Sequence, residues 1–255
     1  GPIRNQRMLD EGKPDYVVRM QEFVPIAGNN RDKFLLMKLP YRLPADTFIR
    51  AIEFVPDKRK IVHHVNGFLI QYYDKRPNNL FKGAWFVDSE NTDFAAAYQE
   101  MKIPYSDGSF PMLTPSAVNY LPGVLPYLYP EGIAGLAVKK EWAVFLKDIH
   151  YGPSAKAETD SSCFNFFFMK SPPKRPLREL QMGTFGVSKI EPPLVIPPET
   201  VKTFITRYTI PEDISIVTIN PHMHLLGKSF TAFAVTPKGD TINLIHIPKW
   251  DFRWQ

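Results

Sequence analysis

"KIVHHVNGFLIQYY" occupies residues 60–73, and its reading decides the fold. Valine, isoleucine, phenylalanine and tyrosine dominate it, the residue types that suit a pleated, half-buried surface. Five further stretches have the same character: "EWAVFLKDIHYG" (141–152), "CFNFFFMK" (163–170), "ISIVTIN" (214–220), "FTAFAVT" (230–236) and "TINLIHI" (241–247). Proline or glycine bounds most of them, as expected of strands ended by turns. The last two flank "PKGD", which reads as the turn of a β-hairpin. One segment reads as a helix, "NTDFAAAYQEMKI" (91–103), where a polar residue can cap the first amides and three alanines follow. Pro104 ends it. The expectation is an all-β, antiparallel chain.

Composition supports that class and excludes others. The 25 prolines in 255 residues are about twice the usual share of roughly 5%, and they suit short strands and fixed turns rather than helices. Net charge is +5, but the densest basic stretches, "PDKRK" (56–60) and "KSPPKRPLRE" (170–179), lack the aromatic interleaving of a nucleic-acid surface. Cys163 is the single cysteine, so no intrachain disulfide or thiolate metal cluster can form. No apolar run approaches the roughly 18–20 residues that span a bilayer, so the chain is expected not to be transmembrane. Its polar first residues do not read as a signal peptide.

Residues 171–199 hold seven prolines and no alternating strand of any length, and read as a hinge between two β domains. The expected boundaries are 14–172 and 173–255. The second stretch falls short of the roughly 100 residues of a β-sandwich, so it is expected to be an incomplete domain.

Five of the six histidines fall in three compact motifs: "VHHV" with His63 and His64, "DIHYG" with His150, and "PHMHLLG" with His222 and His224. On a strand, positions i and i+2 share a face, so the H-x-H pair can aim both rings at one ion. His63 and His64, being adjacent, need a bulge or strand end to act together; Gly67 can help to supply it. His150 is the obvious third ligand. Three imidazoles without a thiolate suit copper or zinc better than iron–sulfur, magnesium or calcium. Asp148 lies two positions before His150 and can orient a histidine as a carboxylate partner. His246 stands alone and reads as an ordinary hydrogen-bonded histidine.

In order and type these motifs resemble the copper type II, ascorbate-dependent monooxygenases, the family of peptidylglycine α-hydroxylating monooxygenase and dopamine β-monooxygenase. "IVHHV" looks like the family's His-His motif, "LKDIHYGPSAKAETDSS" like its His-Tyr motif, and "PHMHLLGKSF" like its H-x-H-x-x-G segment. With "PPLVIPPETV" and "IHIPKWDFRWQ" the likeness covers most of residues 14–255, and it is greatest to bacterial members. The resemblance implies two tandem jelly-roll β-sandwich domains facing each other across a wet cleft, each carrying one copper. It assigns His63, His64 and His150 to an electron-transfer copper. It assigns His222 and His224 to the catalytic copper, where oxygen binds, with ascorbate as the reductant and a small molecule as the substrate.

Three departures qualify what the resemblance implies. The family's methionine ligand to the second copper has no counterpart within these residues, and Met223, between the two histidines, should point to the opposite face. Asn220 stands where peptide-amidating members carry an arginine that holds the substrate carboxylate, which argues against a glycine-extended peptide substrate. The animal enzymes are rich in disulfides, and Cys163 alone cannot continue that pattern. The other function considered is a family-fold protein without complete catalytic equipment, serving as a metal-binding or structural subunit of a cell-envelope complex. A copper carrier or sensor using only the three-histidine site lies between them. The implied location is periplasmic, outer-membrane-associated or extracellular in a bacterium. "ETDSS" (158–162) reads as a polar turn, "FNFFF" (164–168) as buried strand, and no nucleophile-elbow, P-loop or dinucleotide-binding motif occurs.

Overall fold

The computed structural model describes residues 9–72, 79–184 and 186–252. Tyr73, at the end of the first stretch above, lies outside the described residues, as do residues 1–8 of the polar start and 253–255 of "WDFRWQ". The chain forms two compact units, residues 1–179 and 180–255. The division falls within the proline-rich stretch.

In chain order the first unit contains β1 (Tyr16–Arg19), β2 (Val24–Ile26), β3 (Lys33–Arg42), β4 (Thr47–Val55), β5 (Val62–Gln71), β6 (Phe86–Asp88), α1 (Phe94–Glu100), β7 (Met112–Tyr120), β8 (Leu136–Val138), β9 (Glu141–Tyr151), β10 (Glu158–Asp160) and β11 (Cys163–Phe168). One sheet has the order β1-β11-β4-β8 and the other β6-β3-β9-β5-β7. Their pairings are antiparallel, so the all-β expectation holds. A separate two-stranded ladder joins β2 to β10. Pro40 is tolerated in the long strand β3 because pairing with β6 ends at Met37; beyond it β3 needs amide donors on one side only.

The sheets pack face to face through apolar side chains. Tyr41 of β3 meets Phe166 of β11 edge-on at 5.3 Å, and Phe54 of β4 meets Tyr120 of β7 at 5.0 Å. β11 is buried along almost its whole length, as "FNFFF" predicts. Its Asn165 is satisfied by donating to the buried Glu53 at 3.0 Å. "ETDSS" is not simply a polar turn. Glu158–Asp160 form β10, and the Asp160 carboxylate is buried, accepting from the Tyr151 hydroxyl (2.8 Å) and the Ser162 hydroxyl (2.7 Å).

The helix is shorter than the 91–103 expected: Asp93 caps it, its carboxylate accepting from the Ala96 amide at 3.1 Å. It covers the outer face of the five-stranded sheet, where Tyr98 packs against Phe145 of β9 at 5.2 Å. Lys38 of β3, only 1% exposed, lies beneath this cover. Its Nζ donates to the Lys82 carbonyl (2.8 Å) and to the Met101 carbonyl at the helix C-cap. Burial lowers its pKa to about 8. Between about pH 8 and the unperturbed value near 10.4 the unfolded chain therefore binds more protons than the folded one, and stability should rise with pH. Buried tyrosines with raised pKa, such as Tyr72 and Tyr98, oppose this above about pH 10. Comparison with Lys38→Met isolates the lysine: the wild-type chain should gain up to ~3 kcal/mol relative to the variant across the window. Parallel urea-unfolding profiles for the two proteins from pH 7.5 to 10 would contradict it.

In the second unit β12 (Ile190–Glu191) pairs with β13 (Ile205–Thr206), and β14 (Phe230–Val235) with β15 (Thr241–Ile247). The last pair is the expected hairpin, closed by a turn in which the Gly239 amide donates to the Thr236 carbonyl at 2.9 Å. Gly239 adopts φ of 91°, a conformation that suits glycine. "ISIVTIN" (214–220) is not a strand. A β-branched run becomes a strand only where a neighbour completes its ladder, and no sheet among the described residues includes it. None of the described residues of this unit is buried. No helix of the described residues is long and apolar enough to cross a membrane.

Candidate metal centre

The site forms where β5, β9 and β3 run side by side. Across the ladders, His150 of β9 stands opposite His64 of β5 on one side and Phe34 of β3 on the other. Directly opposed residues on one face of an antiparallel pair have Cβ atoms about 4.5–5.5 Å apart, so two imidazoles there meet without further help.

His63 joins them through a bulge. The β5–β9 register shifts between Val62 and His64, leaving His63 as the extra residue. The burial pattern shows the effect: Val62 and Val65 are buried, while His63 and His64 between them both lie toward solvent. A regular strand would have sent one of the two into the core. A second irregularity follows at Gly67, where a side-chain carbon would lie 2.7 Å from the Val118 carbonyl oxygen; only glycine permits β7 to approach so closely.

The ring centroids of His63 and His150 are 4.8 Å apart, those of His64 and His150 5.1 Å, and those of His63 and His64 5.6 Å. One ligand atom from each residue lies within 4.8 Å of the others. His63 Nδ1 and His64 Nδ1 are 3.3 Å apart, the span of two metal–imidazole bonds of about 2.0 Å meeting near the tetrahedral angle. The donor set therefore fits copper or zinc: three nitrogens, no thiolate. Burial, then the neighbouring His150 and His64, holds the His63 pKa below its ordinary value. The neutral, metal-binding form of the ring is favoured accordingly.

Two carboxylates hold the outer edges of these rings. Asp148 Oδ2 lies 3.0 Å from His64 Nε2, so Asp148 serves the histidine across the ladder rather than His150 on its own strand. The partner of His150 is Asp32, whose Oδ1 is 2.7 Å from its Nε2. Phe34 stacks on the same ring at 4.2 Å with the planes 15° apart. Sequence reasoning named neither Asp32 nor Phe34. They lie more than a hundred residues before His150, and an aspartate two positions before a phenylalanine has no distinguishing pattern.

His222 and His224 converge without a strand. The segment carrying them is irregular, which corrects the expectation that a strand face aligns them. A turn closed by the Gly227 amide on the His224 carbonyl (2.9 Å) follows instead. Their Nε2 atoms are 3.0 Å apart and the rings meet edge-on at 4.9 Å. Burial, then His224, lowers the His222 pKa. The Met223 Cβ lies 2.9 Å from where a side-chain carbon on Gly227 would stand. The only cluster of three or more histidine, cysteine or acidic ligands among the described residues is the one in the first unit. His246 bonds to Thr231 across the hairpin at 2.9 Å. Neither a protein-family model nor a curated protein sequence matches the chain.

Proposed function

We propose that this chain is a copper-dependent monooxygenase that hydroxylates a C–H bond of a small molecule, with O2 as oxidant and ascorbate as reductant. The observation that carries the reading is the convergence of the adjacent His63 and His64 of β5 with His150 of β9, far away in the chain, as one cluster of ligand atoms. The order of the three histidine motifs along the chain supports it further. In this reading both units are jelly rolls, the first holding the electron-transfer copper and the second, through His222 and His224, the catalytic one. Copper in such sites passes single electrons between its two oxidation states; two electrons, two protons and O2 convert R–H to R–OH and water. The chain's own part is to keep imidazoles neutral and fixed, with His63 and His222 both shifted toward the neutral form. Asn220 offers no positive charge to a substrate carboxylate, which argues against a glycine-extended peptide as the substrate. An O2-exposed compartment follows: periplasmic, outer-membrane-associated or extracellular in a bacterium.

One observation favours a second reading, a metal-binding or structural subunit of a cell-envelope complex. Among the described residues the His222–His224 pair belongs to no cluster of three such ligands. Copper content and ascorbate-dependent O2 uptake separate the two. The monooxygenase reading expects close to two coppers per chain and uptake that depends on added substrate. One copper per chain, with no uptake over a panel of small aromatic and aliphatic substrates, would leave the second reading standing.

A further inference from the structure

We propose that Asp32 is a positioning residue of the first site: its carboxylate fixes the ring tautomer of His150 and adds negative charge that favours the oxidised, divalent copper. The inference rests on reading His63, His64 and His150 as metal ligands, and it specifies which nitrogens bind and what tunes the ion. Asp32 immediately precedes β3, and Phe34 is the second residue of that strand. Together they hold His150 from two directions. The carboxylate engages Nε2 at 2.7 Å, and the phenyl ring lies flat on the imidazole at 4.2 Å. The stacked phenyl opposes tilting of the ring, and the hydrogen bond opposes its flipping.

A neutral imidazole carries one N–H, and a carboxylate only accepts. The proton of His150 therefore resides on Nε2, leaving the Nδ1 lone pair for a metal. Asp148 acts in the same way on His64 from 3.0 Å, and the His64 Nδ1 so freed is the atom that faces His63 Nδ1 at 3.3 Å. The two carboxylates thus select Nδ1 as the donor atom of both His64 and His150. A ring that donates to a carboxylate is also a more basic ligand, and a more basic ligand stabilises the doubly charged ion more than the singly charged one. The side chain of Asp32 is half exposed while that of His150 is 14% exposed, so the carboxylate is set between solvent and the ring it holds.

Long-range 15N–1H spectra of the metal-free 255-residue chain test the tautomer directly. His64 and His150 should both appear as Nε2–H; His150 seen as Nδ1–H would overturn the proposal. Asp32→Ala should give a mixed His150 tautomer and weaken Cu(II) binding about 10- to 100-fold, measured by chelator competition. Asp32→Asn keeps an acceptor but removes the charge. It should keep the Nε2–H tautomer and Cu(I) affinity while weakening Cu(II), so that the copper reduction potential rises. Wild-type Cu(II) affinity in Asp32→Ala, or an unchanged potential in Asp32→Asn, would refute the assigned role. A wild-type chain that binds no copper would remove the metal reading itself, and the tautomer spectra would still decide what Asp32 does to His150.

Discussion

His150→Ala should abolish copper binding at the proposed three-histidine site of the first unit. An outer partner of a ligating histidine is worth about 10–100-fold in affinity, and loss of the ligand itself should exceed that. The stoichiometry measured at micromolar copper should fall by one per chain. His150 is the residue best suited to this test because β9 lies between β5 and β3, so its ring neighbours both other histidines and also Asp32 and Phe34 at the start of β3. The cost to folding should be small, since the residue lies on the solvent-side face of the strand and its main-chain pairing is kept. His246→Ala is the matched control. That ring bonds to Thr231 at the surface of the hairpin, outside the histidine clusters, and its loss should leave copper content unchanged. Equal copper in the wild-type protein and His150→Ala would defeat the three-histidine assignment.

Phe166→Ala should strongly destabilise the first unit. The side chain is fully buried, packs edge-on against Tyr41 of the facing sheet, and sits on a strand paired on both sides with β1 and β4. Removing a buried phenylalanine costs about 3–5 kcal/mol, from lost apolar burial and the cavity left behind. Against a total stability of about 5–15 kcal/mol for a folded domain, that is a large fraction. Urea unfolding followed by tryptophan fluorescence should show the loss as a lower midpoint with little change in slope. A loss below about 1 kcal/mol would mean that the two sheets are not held together there. The change should not alter the copper content of the folded protein, because the histidines lie on the other face of the five-stranded sheet. The two variants therefore separate the site from the scaffold.

The strands were largely legible because their determinant is local. β-branched and aromatic runs between prolines and glycines predict β5, β9, β11, β14 and β15. "ISIVTIN" has the same composition and is not a strand, since composition specifies a willingness to pair and not the neighbour that accepts the pairing. The candidate metal residues divide in the same way. His64 and His150 are apparent from their motifs, but that they face each other is a matter of register between β5 and β9. His63 could join only through an irregularity whose place no local pattern marks. Asp148 was found beside His150 on its strand, yet it serves His64, because a carboxylate reaches across a ladder as readily as along a strand.

The sequence by itself determined the all-β, antiparallel class, the absence of an intrachain disulfide or a cluster of thiolates in a chain with one cysteine, and the grouping of five histidines in three short motifs. These follow from residue type and short-range order, which the chain carries wherever it folds. Tertiary structure alone decided that one extra residue at His63 turns two neighbouring rings to the same side. It alone placed Asp32 and Phe34, from the start of β3 and far away in the chain, on His150. Convergence of that kind depends on hydrogen-bond register between strands, and register is set by the packing of whole sheets rather than by any one of their segments.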